Sequence, residues 1–171
     1  MNVGRPGSFH ESKVFKRSSL SEIIEKDPNS IFPVNTHIIA GTAFPLNDYV
    51  LTPYSTVGNT TTLSRHQKLF NGKLALGHRP IEQAFQILRA RWQRLKCLEM
   101  QQVSNMNIAI KTCCILHNIC MSNSAYHLGD FEAEKEPSAV EVDYCGACPY
   151  SALRKRDMIA LYLDGQTGCN G

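Results

Sequence analysis

The sequence lacks several features that identify a class of protein directly. No apolar run reaches the roughly 18 residues that a transmembrane helix requires, and the N-terminal stretch MNVGRPGSFHESK has no apolar segment of a secretory signal. The P-loop and the motifs GxGxxG, GxSxG and HExxH are also missing. We therefore expect neither a membrane protein nor a secreted one, and several common enzyme classes are excluded.

A strong charge of either sign is missing as well. The formal net charge is +3 over 171 residues, which is too small to predict a nucleic-acid partner by itself. Apolar residues make up 43% of the chain. That proportion favours a packed core in one domain of ordinary size over wholesale disorder.

The seven cysteines have no secretory context, so reduced thiols in the nucleus or cytosol are expected. Cys113, Cys114 and Cys120 lie in an apolar segment and are typical of small core residues. Cys145 and Cys148 form a CxxC pair without the second ligand pair that a structural zinc site needs. Loop thiols are favoured over a metal knuckle, and both interpretations stay open.

The pattern of apolar residues predicts alternating strands and helices. Residues 36–40 (THIIA) indicate a buried strand, and residues 49–52 indicate a short one that Pro53 ends. A helix is predicted from near residues 62–64 to Phe70, and a second is predicted to open at Pro80, where the missing N–H costs nothing. Further helices are predicted over 105–121, buried on most sides, and over 151–163.

Glu82 is the acid of greatest interest, because it lies in the first turn of the amphipathic helix predicted after Pro80. The helix dipole alone favours an acid there by about 0.3–1 kcal/mol. An ordinary N-terminal glutamate and a carboxylate that faces a Mg²⁺ ion are therefore both compatible with the sequence. His117, alone on an apolar helix, is more typical of a hydrogen-bonded core residue than of a ligand.

Four basic residues lie in the same amphipathic segment: Arg89, Arg91, Arg94 and Lys96. Such a run is typical of a solvated helix face. If these side chains contact DNA phosphates, they supply affinity without sequence specificity.

Four stretches, in this order and spacing, resemble one family: GRPGSFHESKVFKRSSL, AFPLNDYVLTPY, IEQAFQILRARWQRLK and CCILHNIC. They are similar to the DDE nuclease domain of PIF/Harbinger-type transposases, including the domesticated Harbinger transposase-derived nuclease. The resemblance covers roughly residues 3–122. It implies an α/β fold of the RNase H type, with a mixed sheet flanked by helices. It also implies two-metal cleavage of phosphodiesters, with two aspartates and one glutamate as ligands.

The resemblance places the family's second aspartate in the motif Gly-Asp-Ser-Ala-aromatic-Pro, which reads AGTAFP here, so Gly41 stands at the aspartate position. Glu82 stands at the position of the glutamate. The first aspartate belongs to a strand that precedes the GRPGS segment, so we expect that residue and the first strands of the sheet to be missing. Asp48 lies beyond a proline turn and is not expected to substitute.

These correspondences predict a nuclease-like domain that is catalytically inactive, with Glu82 as the remaining catalytic and metal residue. Mg²⁺ or Mn²⁺ would bind weakly, through water. The alternatives are an interaction module that works with a Myb-like DNA-binding partner protein, or an active nuclease with a mis-annotated start. A nuclear location is expected, with the cytoplasm as a second compartment. The domain prediction is a partial nuclease domain at 1–125, a flexible acidic loop at 126–150, and a final helix and tail at 151–171.

Overall fold

A computed structural model of the chain describes residues 10–55, 62–122, 144 and 146–167. These residues form a mixed α/β structure. The α-helices are α1 (Glu11–Lys16), α2 (Ser19–Lys26), α3 (Arg65–Arg91), α4 (Val103–Ser122) and α5 (Tyr150–Thr167). The described residues also contain two 3₁₀ helices, Pro28–Ser30 and Gln93–Leu95. The two strands are β1 (Ile38–Ile39) and β2 (Val50–Leu51).

The chain divides into two compact units. The first, called the sheet unit, comprises Gly7–His78 and Val140–Gly171, and the second, called the helical unit, comprises Met1–Pro6 and Arg79–Ala139. The division falls within α3. The part of the predicted acidic loop at 126–143 lies outside the described residues.

The first two helices begin at side-chain caps. The Nδ1 atom of His10 accepts a hydrogen bond from the Ser12 N–H at 3.3 Å, and the Ser18 hydroxyl accepts one from the Ser21 N–H at 3.2 Å. Such caps satisfy N–H groups that have no partner inside the helix. Helix α2 ends at Lys26, where Asp27 is followed by Pro28.

Strands β1 and β2 pair in parallel, with Ile38 opposite Val50. The Ile38 N–H donates to the Tyr49 carbonyl at 2.9 Å, and the Ala40 N–H donates to the Leu51 carbonyl at 2.8 Å. The two strands predicted from apolar β-branched runs are confirmed, although each is shorter than predicted. The burial predicted for the first strand is wrong, since Ile38 is half-buried and Ile39 is 37% exposed. Their carboxyl ends lie at the same edge of the sheet.

The connection between the strands, residues 40–49, is short for a parallel pair, which usually needs about a dozen residues or more. Asn47 makes the return possible. Its side-chain oxygen accepts hydrogen bonds from the N–H groups of Tyr49 and Val50, at 2.9 and 2.8 Å. The amide side chain thus replaces backbone partners where the chain turns back.

Two clusters of buried side chains form the core of the sheet unit. The larger cluster contains Leu46, Leu51, Tyr54, Phe70, Leu74, Ala152 and Ala160. The smaller contains Phe15, Ala40 and Val50. The two alanines of the larger cluster are both fully buried and lie on one face of α5, so this face packs closely against strand β2 and helix α3.

Helix α3 corrects one prediction. Pro80 does not open a helix; it lies inside the continuous helix Arg65–Arg91. Because proline has no N–H, the carbonyl of Leu76 loses its usual partner there. The boundary between the two units, at His78 and Arg79, falls beside this interruption.

Helix α4 confirms the helix predicted at 105–121 but not its burial. His117 is the one residue of α4 that is buried. Ile108, Ile115 and Ile119 are 62%, 60% and 59% exposed. The prediction that this helix is buried on most sides is therefore wrong for the described structure, because these isoleucines are exposed.

Candidate functional site

Gly41 lies two residues beyond the end of strand β1, after Ala40, at the carboxyl edge of the parallel pair. Its carbonyl accepts a hydrogen bond from the Phe44 N–H at 3.2 Å, which closes a turn. A Cβ atom built at Gly41 would meet no atom within 4 Å. The position has room for a side chain and holds none, so it offers no ligand to a metal.

Glu82 lies on α3, two residues beyond Pro80, and its side chain is exposed. It belongs to the helical unit, whereas Gly41 belongs to the sheet unit. Glu82 is an interior residue of the long helix and not the first-turn residue that the sequence predicted. Dipole stabilisation at a helix N-terminus therefore does not apply to it.

The described residues do not fit a pair of divalent cations. Among them, no group of three or more His, Cys, Asp or Glu side chains lies close enough together to hold a metal ion. Asp48 has a different role: its carboxylate accepts a hydrogen bond from the Ser151 hydroxyl at 3.0 Å, and its carbonyl accepts one from the Lys155 ammonium at 2.6 Å. These hydrogen bonds connect α5 to the turn before β2.

The most extensive polar network of the sheet unit centres on Tyr54. The phenol donates to Asp157 at 2.6 Å, and the Arg156 guanidinium lies 4.0 Å from the ring centroid. Burial raises the pKa of Tyr54, and the hydrogen bond to Asp157 raises it further. This phenol stays protonated near neutral pH, so it is a structural donor and not a general base.

Backbone groups at the end of β2 are held by side chains of two helices. Asn71 on α3 accepts from the Tyr54 N–H and donates to the Tyr54 carbonyl, both at 2.9 Å. Arg156 on α5 donates to the Pro53 carbonyl at 3.2 Å. Sequence reasoning missed these contacts, because partners 17 and 103 residues apart leave no local pattern.

A cavity of about 280 Å³ lies beside this network in the sheet unit, lined by Thr42, Phe44, Tyr54 and Arg156 among others. The Thr42 hydroxyl and the Arg156 Nε atom are buried and make no hydrogen bond within the described part of the chain. Because solvent does not reach these two atoms, a ligand in the cavity would not reach them without a rearrangement. The cavity therefore presents neither of these polar groups to a bound molecule.

The predicted basic residues lie at the end of α3 and beyond it. Arg89 and Arg91 are half-buried, whereas Arg94 and Lys96 are exposed. Burial lowers the pKa of His117, and the charge of Arg91 lowers it further. The burial of His117 confirms part of the core interpretation, although within the described residues its Nδ1 atom makes no hydrogen bond.

The cysteine predictions are tested only in part. Cys113, Cys114 and Cys120 are half-buried free thiols. Cys145 lies outside the described residues, so the CxxC pair stays a prediction. The Cys148 thiol is free and lies 3.8 Å from the Gly146 carbonyl, to which it donates.

Comparisons with known proteins define the class. A family described as DDE superfamily endonuclease matches residues 1–118 of the chain. A protein named "Protein ALP1-like" from Arabidopsis thaliana is 26% identical over 138 residues, which cover 75% of this chain and 33% of the relative. The chain thus spans about one third of the length of that relative. No solved structure matches.

The small parallel sheet with its helices is consistent with an α/β nuclease-like domain, and the matches make it one of transposase origin. The chain belongs to the DDE superfamily endonuclease family. Members of this superfamily typically use divalent metal ions. In the described part of the chain, no helix is both long and apolar enough to span a bilayer.

Proposed function

We propose that this chain is a PIF/Harbinger-type, RNase H-like nuclease domain that associates with DNA but does not cleave it. The observation that carries the proposal is Gly41. It stands at the position of a metal-binding aspartate, with open space where a side chain would be.

The chemistry of two-metal cleavage explains why one missing carboxylate is enough. Two cations about 3.5–4 Å apart stabilise the attacking and the leaving oxygen, and both must be held by the protein. Mg²⁺ and Mn²⁺ take oxygen ligands, for which glycine has no side-chain donor. Glu82 alone binds such an ion weakly and largely through water.

Association with DNA is supported by the basic residues of the helical unit. Arg94 and Lys96 are exposed just beyond α3. Contacts of these residues with phosphates give binding that falls steeply as salt rises and shows little sequence preference. A nuclear location follows from a DNA partner.

A second function, an interaction module that works with a Myb-like DNA-binding partner protein, is favoured by a different observation. Helix α4 exposes isoleucines that a soluble domain normally buries. In this function the partner supplies sequence recognition, and the nuclease-like domain supplies a binding surface.

Cleavage is tested with supercoiled plasmid and the purified chain in Mg²⁺ or Mn²⁺. We expect no nicking above the level of Glu82→Ala, with Glu99→Ala as a control at another exposed glutamate of the same unit. Metal-dependent nicking that Glu82→Ala abolishes and Glu99→Ala retains would refute the proposal and favour an active nuclease.

The Gly41→Asp variant tests the assignment of the metal site. The open space at this position should accept the new side chain without loss of folding. We expect no cleavage, because two cations need more carboxylate ligands than one added aspartate supplies. A clear gain of activity would mean that the site is assigned to the wrong residues. Titration of Mn²⁺ into wild type and Glu82→Ala measures directly whether a cation site remains.

A further inference from the structure

We infer that helix α4 is a docking site for an acidic amphipathic helix of a partner protein. The inference deepens the interaction-module function and rests on it. It specifies both the surface of this chain and the chemistry of the segment that covers it.

The helical unit buries very little of itself. Among its described residues, 79–122, the buried ones are Leu88 and His117. On α3, Ile81 and Phe85 are 50% and 52% exposed. A unit with so few buried side chains lacks the core that normally stabilises a folded domain. Contact with another molecule is the simplest way to bury these side chains.

The exposed isoleucines of α4 lie on one narrow stripe of the helix. Ile108, Thr112, Ile115 and Ile119 follow at intervals of four, three and four residues, which places them on one face of the helix. The stripe is roughly 16 Å long at 1.5 Å per residue. A single row of this kind suits the apolar face of one partner helix of about three turns.

The positive charge of residues 79–122 favours an acidic partner. Residues 79–122 carry six Lys and Arg side chains and two Glu, a net charge of +4. Lys111 is the one charged residue of α4 and lies beside the isoleucine stripe. An acidic helix complements the described part of this unit, whereas a second copy of that part would bring like charge against like charge. The apolar stripe favours a polypeptide over a nucleic acid.

The test uses the full chain and three labelled 18-residue peptides, with binding measured by fluorescence anisotropy. The first peptide carries leucines at helical spacing and glutamates elsewhere. The second replaces every glutamate by lysine, and the third has the composition of the first in an order without an amphipathic face. We expect the acidic amphipathic peptide to bind at least tenfold more tightly than either of the others.

Variants of α4 test whether the acidic peptide binds to this helix. Ile115→Gln or Ile119→Gln should weaken binding of the acidic peptide at least tenfold. Met158→Gln on α5 is the matched control, because Met158 is 61% exposed and Ile115 is 60% exposed. We expect no change for this control, and Lys111→Gln should weaken binding severalfold, with less effect at high salt.

Equal binding of the acidic and lysine peptides, or of the scrambled peptide, contradicts the inference, and so does binding that Ile115→Gln and Ile119→Gln leave unchanged. A dimer in sedimentation that Ile115→Gln dissociates would identify a second copy as the occupant and also overturn it. The plasmid assay is independent of these outcomes, because none of the altered residues is a family metal position.

Discussion

Replacement of Tyr54 by phenylalanine should lower the free energy of unfolding of the sheet unit. The ring is 8% exposed and packs in the larger core cluster, so phenylalanine retains the apolar contacts. The variant loses the hydrogen bond from the phenol to the Asp157 carboxylate, which measures 2.6 Å.

The size of the loss in the free energy of unfolding depends on the hydrogen-bond partner, Asp157. A hydrogen bond to a charged group contributes about 1.5–3 kcal/mol, and an unsatisfied buried acceptor would add to its loss. Asp157 is exposed, so water replaces the phenol when the hydroxyl is removed. The expected loss is therefore at the lower end, about 1–2 kcal/mol.

Urea unfolding followed by circular dichroism measures this loss. With a slope of about 2 kcal/mol per molar urea, the midpoint should fall by about 0.5–1 M. Tyr162→Phe is the control on α5, because Tyr162 is 66% exposed and its oxygen accepts from Gln166. We expect it to change the free energy of unfolding by less than about 0.5 kcal/mol. Equal losses in the two variants would refute the reasoning.

The same pair predicts an alkaline effect. The folded-state pKa of Tyr54 is raised, by burial first and then by Asp157, above the ordinary value of 10.0. Its contribution to stability is fully present below pH 10 and is lost as pH rises above that value. The difference between wild type and Tyr54→Phe should therefore shrink above pH 10. A double-mutant cycle with Asp157→Asn should show coupling of about 1 kcal/mol, and additive losses would contradict the contact.

Two further predictions concern α3 and α4. Gly72→Ala should stabilise the sheet unit by about 0.5–1 kcal/mol through helix propensity, whereas Gly77→Ala should gain less, because its Cβ would lie 2.8 Å from the Ile39 Cδ1 atom and the isoleucine must rotate. Equal gains in urea unfolding would contradict this. Burial lowers the pKa of His117 from 6.5, so its contribution is present above pH 6.5 and is lost as pH falls through the folded-state value. His117→Gln should reduce the loss of stability between pH 7.5 and pH 5.5, and an equal loss in both proteins would count against it.

Strands and helices that are determined by residues close together in the sequence were predicted correctly. The β-branched run at 36–40 gave β1, and the amphipathic spacing at 151–163 gave most of α5. Parallel pairing of the strands was not predictable in this way, since it depends on Asn47 turning the chain back within a short connection. Contacts such as that between Tyr54 and Asp157 join residues 103 positions apart, and no spacing rule finds them.

Two predictions failed for physical reasons that differ. Pro80 is favoured at a helix start only because its missing N–H costs nothing there, and the helix-forming residues on both sides carry α3 through it. Helix α4 was predicted to be buried from its apolar composition. Composition shows that a surface favours burial, but only the packing partners decide whether it is covered.

The position of the glutamate depended on the resemblance, and among the described residues the structure places it in no group of three or more His, Cys, Asp or Glu side chains that could hold a metal ion. Gly41 was identified from the motif AGTAFP, and the structure adds that the space beside it is open. Weak binding of a divalent cation at Glu82 is a prediction that the titration with Mn²⁺ tests.

The exposed stripe on α4 also bears on the fate of the protein inside a cell. Chaperones and proteases act on polypeptides that display apolar side chains, so a copy whose stripe is uncovered would be held or degraded. If the inferred partner helix covers the stripe, the supply of that partner, and not the synthesis of this chain alone, sets how many copies persist.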